Sequence, residues 1–197
     1  MDERQWDKKL KIQTVGRDAS GADAYRYPYE PTPYSVLARL ADSGMVSKEN
    51  VLIDYGCGKG RVGFYMNRIV GCRAIGVEYD PVIYGQALEN LVSYDNFGVE
   101  FVCARAETYE IADGDRFYFF NPFSIEVLKS VVGRILESYY SKPRTMRLFF
   151  YYPSDDYVSW LMTCQEWNFL TEVDCSDLFP GDQKRERILV FELPDYP

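Results

Sequence analysis

Val51-Leu-Ile-Asp-Tyr-Gly-Cys-Gly-Lys-Gly60 is a short apolar run that ends in an acid and three alternate glycines. Such a run, bounded by turn residues, reads as a buried strand. The glycines let the backbone turn sharply and approach a ligand closely. A helix over Arg61 to Val70 follows, with Val62, Tyr65, Met66 and Ile69 on one face. A second strand, 74–78, ends in Glu78, twenty positions after Gly58. An acid there accepts both ribose hydroxyls of an adenosine-type ligand. The helix N-terminus favours a negative ligand group such as a carboxylate.

Outward from this unit, strands and helices alternate. Upstream, Thr32 at the N-cap and Pro33 at the first position start a helix that carries Tyr34, Leu37, Ala38 and Ala41 and stops at Gly44. Downstream, Asp80 caps a helix with Pro81 at its first position and Ile83, Ala87 and Leu91 inside. A third strand spans 99–103, Asp113-Gly114-Asp115 forms a turn, and a fourth strand spans 116–120. Ser124 caps a helix bearing Leu128, Val131, Val132, Ile135 and Tyr139. A fifth strand (146–152), a helix (155–164) and two last strands (169–175 and 187–192) complete the chain. Alternation means a mostly parallel sheet covered on both faces. The last two strands have no helix between them, so they pair antiparallel. The expected fold is a Rossmann-like α/β three-layer sandwich of seven strands with the last reversed. Residues 1–33, charged at first and then aromatic and proline-rich, read as an arm over the rim of a domain spanning 34–197.

Composition narrows the chemistry. The 197 residues fit one domain at roughly 150 residues each. No apolar run reaches the ~18 residues of a membrane helix, and Met1 to Leu10 is no secretory signal. The net charge of −8 disfavours a nucleic-acid backbone as partner. There is no His, and none of the five Cys are spaced as C-x-x-C, which argues against a Cys/His metal centre. A His-dependent nucleophile is excluded within this chain. The cysteines read as reduced, buried thiols of a cytoplasmic protein.

The pattern hydrophobic-x-Asp-x-Gly-x-Gly-x-Gly, followed by an acid ending the second strand, resembles the class I S-adenosylmethionine-dependent methyltransferases over roughly residues 32–193. The resemblance implies that Asp54, Gly56 and Gly58 line the methionine part of S-adenosyl-L-methionine and that Glu78 holds the ribose. It extends the cofactor lining to Cys57, Gly60 and Tyr79. Cys103-Ala-Arg-Ala-Glu107 stands where the family has its adenine contact, which makes Ala104 and Arg105 the candidates there through backbone groups. Tyr29-Glu-Pro-Thr32 is similar to a segment that covers the cofactor in small lysine-modifying members, adding Tyr29 and Thr32.

Asn121-Pro122-Phe123, after the fourth strand, resembles the [Asn/Asp]-Pro-Pro-[Tyr/Phe] motif of methyltransferases acting on planar amino nitrogens, with one Pro missing. By resemblance these three residues are the catalytic candidates, and the acceptor is an amino nitrogen of a protein or small molecule. The alternative for Phe123 is a place in the core. Tyr25, Tyr27, Tyr29 and Tyr34 are candidates for a cation–π cage, and the loop 151–156 for an acceptor wall. Proton acceptors or orienting groups are Asn121, Tyr151, Tyr152, Asp155 and Glu30. Two rival functions stand beside this one. The first is a catalytically silent S-adenosylmethionine-binding module. The second is a nicotinamide-dependent oxidoreductase, since Gly58-x-Gly60-x-x-Gly63 also matches the dinucleotide fingerprint.

Overall fold

A computed structural model describes residues 1–17, 27, 29–181 and 183–194. Seven strands form one sheet in the order β3-β2-β1-β4-β5-β7-β6. They are β1 (Val51–Tyr55), β2 (Arg73–Glu78), β3 (Val99–Cys103), β4 (Arg116–Phe119), β5 (Met146–Tyr151), β6 (Asn168–Asp174) and β7 (Arg187–Leu193). All neighbours from β3 to β5 pair parallel, while β7 runs antiparallel to both β5 and β6. The single reversed strand therefore lies inside the sheet, and β6 takes the edge.

Side chains alternate between the two faces, as strand geometry requires. Leu52, Tyr118, Phe149 and Val190 face one core, shared with α2 (Tyr34–Asp42), α3 (Arg61–Val70) and α4 (Pro81–Ser93). Ile53, Phe117, Leu148 and Leu189 face the other, under α5 (Ile125–Ser141) and α6 (Asp155–Leu161). On this second face Tyr55, Phe119 and Phe150 stack in one row, with ring centroids 5.3 and 4.7 Å apart. Such pairs contribute about 0.5–1.5 kcal/mol each beyond burial. They tie together the ends of β1, β4 and β5.

Most predicted elements match within a residue or two. Asp80 caps α4 through the N–H groups of Val82 and Ile83, with Pro81 following. The five apolar residues expected inside α5 are all buried. Three details differ. Pro33, not Thr32, is the N-cap of α2, because the Thr32 hydroxyl is buried and hydrogen-bonded to the Tyr118 hydroxyl at 3.1 Å. Ile69 is exposed, and Phe64 takes its expected place in the core. Cys57, Cys72 and Cys175 are buried, but Cys103 ends an edge strand and is exposed. No helix among the described residues is long and apolar enough to cross a membrane.

The N-terminal segment holds a helix that the sequence reading passed over, α1 (Glu3–Leu10). It opens on a capping box, with Asp2 and Gln5 each accepting from the other's backbone N–H. Its inner side carries Asp7, which accepts from the Thr14 hydroxyl (2.7 Å), the Thr14 N–H (2.5 Å) and the Tyr34 hydroxyl (2.6 Å). Arg61 completes the knot. Its Nε donates to the Thr14 hydroxyl (2.7 Å), and its Nη1 donates to the Thr32 carbonyl (3.1 Å) and to Glu3. Its guanidinium lies 4.3 Å from the centre of the Tyr34 ring.

Buried charges hold together only while every partner remains, and removing one typically costs 3–5 kcal/mol. Asp7→Ala is expected to lower the unfolding free energy by about 3 kcal/mol in urea titration. Lys8→Ala, on the exposed side of the same helix, should stay within about 0.5 kcal/mol of the parent.

Candidate functional site

The carboxyl ends of β1 to β4 open into one cavity, with residues 27 and 29–32 along its rim. The strand order reverses between β1 and β4, which is where open α/β sheets take ligands. Asp54 pairs in register with Gly76 of β2 and Tyr118 of β4, so its carboxylate and the Tyr118 ring share one face of the sheet. Asp54 is 4% exposed, and its Oδ2 has no hydrogen-bond partner among the described residues. Burial, reinforced by the nearby charge of Glu78, pushes its carboxyl up to about 8.

The glycine loop then doubles back over β2. Gly56 and Cys57 both donate their N–H to the Val77 carbonyl, at 2.9 and 3.2 Å. Gly58 donates to Glu78 Oε2 at 2.8 Å, while Asp80 donates to Oε1 at 2.9 Å. Burial raises the Glu78 pKa, and these backbone N–H groups oppose the rise. Two glycines are obligatory here. Gly56 has φ +71° and sits against Pro122; Gly58 has φ +55° and sits against the Tyr29 ring. A Cβ at either would overlap that neighbour. The Tyr29 hydroxyl donates to the Thr14 carbonyl at 2.7 Å, which fixes the ring over the loop.

The candidate residues fall into groups. Asp54, Gly56, Cys57, Glu78, Tyr79 and Ala104 line the cavity, as do Tyr29 and Thr32. Gly58 lies beneath Tyr29, and Gly60 faces Phe64 and Phe101 in the core. The Ala104 N–H is taken by the Glu78 carbonyl at 2.9 Å. Arg105 pairs with Glu107 and does not line the cavity, whereas Ala106 and Glu107 do.

Asn121, Pro122 and Phe123 all line the cavity. Asn121 has φ +41°, and both ends of its amide are engaged. Nδ2 donates to the Tyr152 carbonyl (2.5 Å), and Oδ1 accepts from the Ser154 N–H (3.0 Å). The Pro122 carbonyl accepts from the Tyr27 N–H at 3.4 Å. Phe123 is 4% exposed and packs edge-on against Phe119.

Other expectations meet a different arrangement. Tyr34 does not line the cavity, and its ring face is already taken by the Arg61 guanidinium. Tyr25 lies outside the described residues. The loop 151–156 forms no wall of the cavity: Tyr151 turns to Glu186, and Tyr152 and Ser154 hold Asn121. The sequence reading passed over Arg61 and Tyr118, which both line the cavity. A signal for Arg61 was present. A cation in the first turn of a helix opposes the helix dipole, so it needs acidic company from elsewhere in the fold.

No protein-family model matches the chain. It aligns over 97% of its length with the solved structure of a TehB-like SAM-dependent methyltransferase from Corynebacterium glutamicum, covering 95% of that chain at 18% identity and a TM-score of 0.59. This chain has the class I methyltransferase fold. The methyltransferase fold also brings it close to an RNA methyltransferase from Salinibacter ruber solved with S-adenosyl-L-homocysteine. That alignment has 20% identity and a TM-score of 0.51, over 85% of this chain and 96% of the other. In sequence, 65 residues are 34% identical to a protein-lysine N-methyltransferase of Saccharolobus islandicus. That match covers 32% of this chain and 40% of the relative's length.

The Asp54 carboxyl has a direct consequence for stability. Its folded pKa, about 8, lies above its ordinary value of 3.8, so between these values the folded state binds more protons than the unfolded. Asp54 therefore makes stability fall as pH rises from 5.5 to 8, its own share being at most about 1.4 kcal/mol per pH unit, and Glu78 acts in the same direction. Urea titrations of the ligand-free protein across that range should show the fall. Asp54→Asn should flatten it; an unchanged slope would remove Asp54 as its source.

Proposed function

We propose that this protein binds S-adenosylmethionine and transfers its methyl group to an amino nitrogen of a protein or small-molecule acceptor. One observation carries the reading. A glycine loop and two carboxylates, Asp54 and Glu78, converge at the switch point of a methyltransferase-fold sheet. The residues fit the cofactor. Gly56 lines the cavity without a side chain, while Gly58 lies beneath the Tyr29 ring. The orphaned Asp54 Oδ2 suits a positively charged ligand group. Each Glu78 oxygen receives one of the two backbone N–H bonds named above, out of about four lone-pair sites on an ionised carboxylate. The Tyr79 N–H also favours the ionised carboxylate, and the acceptor capacity that remains suits a ribose hydroxyl.

When bound, the cofactor supplies a methyl group on a positively charged sulfur, open to displacement by a nucleophile. The chain's part is to hold, orient and keep water out, and orientation alone can supply roughly 7–11 kcal/mol of barrier reduction. Glu30, Asp54, Glu78, Asp80 and Glu107 make the lining acidic. This favours a cationic ligand and an amine that arrives as ammonium. Such an amine must shed a proton before it attacks. Among the candidate groups for that task, Asn121 and Glu30 line the cavity; Tyr151, Tyr152 and Asp155 do not.

Asn121 acts as a positioning residue in this reading, since its amide clamps the 152–154 loop and so sets the Pro122 carbonyl and the Phe123 ring. The 65-residue likeness to a protein-lysine N-methyltransferase supports an amine acceptor. The net charge of −8 weighs against a phosphate backbone, although an RNA methyltransferase shares the fold. The engaged Asn121 amide favours a second reading, a module that binds the cofactor without transfer.

Side-by-side calorimetric titration with S-adenosylhomocysteine and NADH tests the cofactor. Micromolar binding of the first alone, lost in Glu78→Ala, is expected. At 100 times Kd the ligand adds about 2.7 kcal/mol of stability, which a melting shift reads. Binding of NADH instead would return the protein to the oxidoreductases. Asn121→Ala should lower kcat at least tenfold while leaving cofactor affinity within about twofold. Methyl transfer to any acceptor in an extract would remove the silent-module reading.

A further inference from the structure

A second groove lies beside the cofactor cavity. It runs between α4 and the segment 7–15, and α4 lines it from Pro81 at one end to Ser93 at the other. At 1.5 Å per residue that is about 20 Å, long enough for an extended segment of about six residues. Its floor is pinned. The Asn90 amide accepts from the Gln13 N–H (2.8 Å) and donates to the carbonyls of Gln13 (3.3 Å) and Lys59 (3.0 Å). One end adjoins the cavity. Asp80, next to Pro81, lines that cavity, and so does Tyr29, whose ring centre lies 5.2 Å from the Lys59 ammonium.

Two features of the groove serve nothing within the described chain. The first is Gly85, in the interior of α4, where glycine weakens a helix relative to alanine. A Cβ at this position would meet no atom within 4 Å. Packing among the described residues does not need its small size, but a backbone seated in the groove does. The second is charge. Lys8, Lys11 and Lys59 line this groove in a chain whose net charge is −8. Lys11 pairs with Asp95 at 3.1 Å, while Lys8 and Lys59 make no ion pair among the described residues. Of the two acids in the lining, Asp7 is engaged by Thr14 and Tyr34, which leaves Glu89. The adjoining cavity is acidic, so the two sites carry opposite charge.

We propose that this groove docks an acidic stretch of an acceptor protein, whose target lysine then enters the acidic cavity. Lys8 and Lys59 take its carboxylates, and its backbone passes over Gly85. This rests on the reading of the cavity as a site of methyl transfer to an amine, and it names the acceptor class: a lysine flanked by glutamates or aspartates. Val15 and Val82, 42% and 64% exposed, offer apolar contact between the charges. A nucleic-acid backbone would meet the same lysines, but the net charge of the whole chain repels it.

Two sets of fluorescein-labelled peptides are the probes. In one, a lysine is joined through glycine linkers of graded length to a run of glutamates; in the other, glutamines replace the glutamates. Fluorescence anisotropy should show the glutamate peptides binding at least about tenfold more tightly, with the difference shrinking as salt rises. Lys8→Glu should weaken them about fivefold and Gly85→Leu about tenfold or more, with S-adenosylhomocysteine affinity held within about twofold in both. Gly85→Ala should raise the melting temperature, because alanine suits a helix interior and its Cβ meets no neighbour. With labelled S-adenosylmethionine, Gly85→Leu should raise KM for the glutamate peptides without lowering kcat.

If both peptide sets bind alike, or if Lys8→Glu and Gly85→Leu leave binding unchanged, the groove is not the docking site and the proposal is overturned. A fall in the melting temperature of Gly85→Ala would give the glycine a role inside the fold and overturn the argument built on it. A single-stranded oligonucleotide that displaces the glutamate peptides and binds more tightly overturns the protein acceptor. If the anisotropy pattern holds while no linker length permits methyl transfer, the groove stands as a site for acidic segments and the amine-transfer reading fails.

Discussion

Arg61 is the point on which the rest of the molecule turns. It immediately follows the glycine loop, so its backbone belongs to the sheet-and-helix unit that forms the site. Its side chain reaches the opposite way, into Thr14, Thr32, Glu3 and the face of Tyr34. The guanidinium thus joins α1, the rim segment and α2 to the end of β1. Without it, Asp7 would be left buried without a cationic partner, and the Thr14 carbonyl that holds Tyr29 would lose its frame. The position of the Tyr29 ring over Gly58 is in this sense a long-range product of one cation.

The electrostatic logic runs in one direction. The loop needs glycines to double back, and doubling back brings the Gly58 N–H onto Glu78. That bond keeps Glu78 beside Asp54, whose charge burial already disfavours. Two carboxylates in a poorly hydrated pocket raise each other's cost of ionisation. The pocket therefore stores a demand for positive charge, and the knot around Arg61 lies too close to the rim to be altered independently. Affinity for a cationic ligand and stability of the empty fold pull against each other at Asp54.

Much of this was legible in the sequence, and the reasons are physical. The loop, Asp54 and Glu78 were readable because a tight strand-to-helix turn permits few residue types and fixes their spacing. The reversed last strand followed from a connection too short for a parallel crossover. Helix α1 was not legible from periodicity, because Trp6 and Leu10 are its main apolar residues; its one clear signal was the Asp2-x-x-Gln5 box. Thr32 was misplaced by one position because its hydroxyl serves Tyr118, a partner 86 residues away that no local pattern reveals. Asn121 was correctly placed on the cavity wall, but its bonds to Tyr152 and Ser154 depend on a loop after another strand. Arg61 opens α3, and the acidic partners that accompany its burial, Glu3 and Asp7, come from a different part of the chain.

Cys57 turns the same geometry into a clock. It sits within the glycine loop, 5% exposed, and burial holds its thiol well above the ordinary range. Only a thiolate reacts readily with alkylating reagents, so its modification waits for the loop to lift away from β2. Cys103, exposed at the end of an edge strand, reacts without that wait and supplies an internal standard. With excess reagent, the modification rate of the Cys57 peptide counts openings of the loop, a local event far smaller than unfolding. Any tenant of the cavity slows that count, so the chain reports its own occupancy without a dye, a tag or a turnover assay.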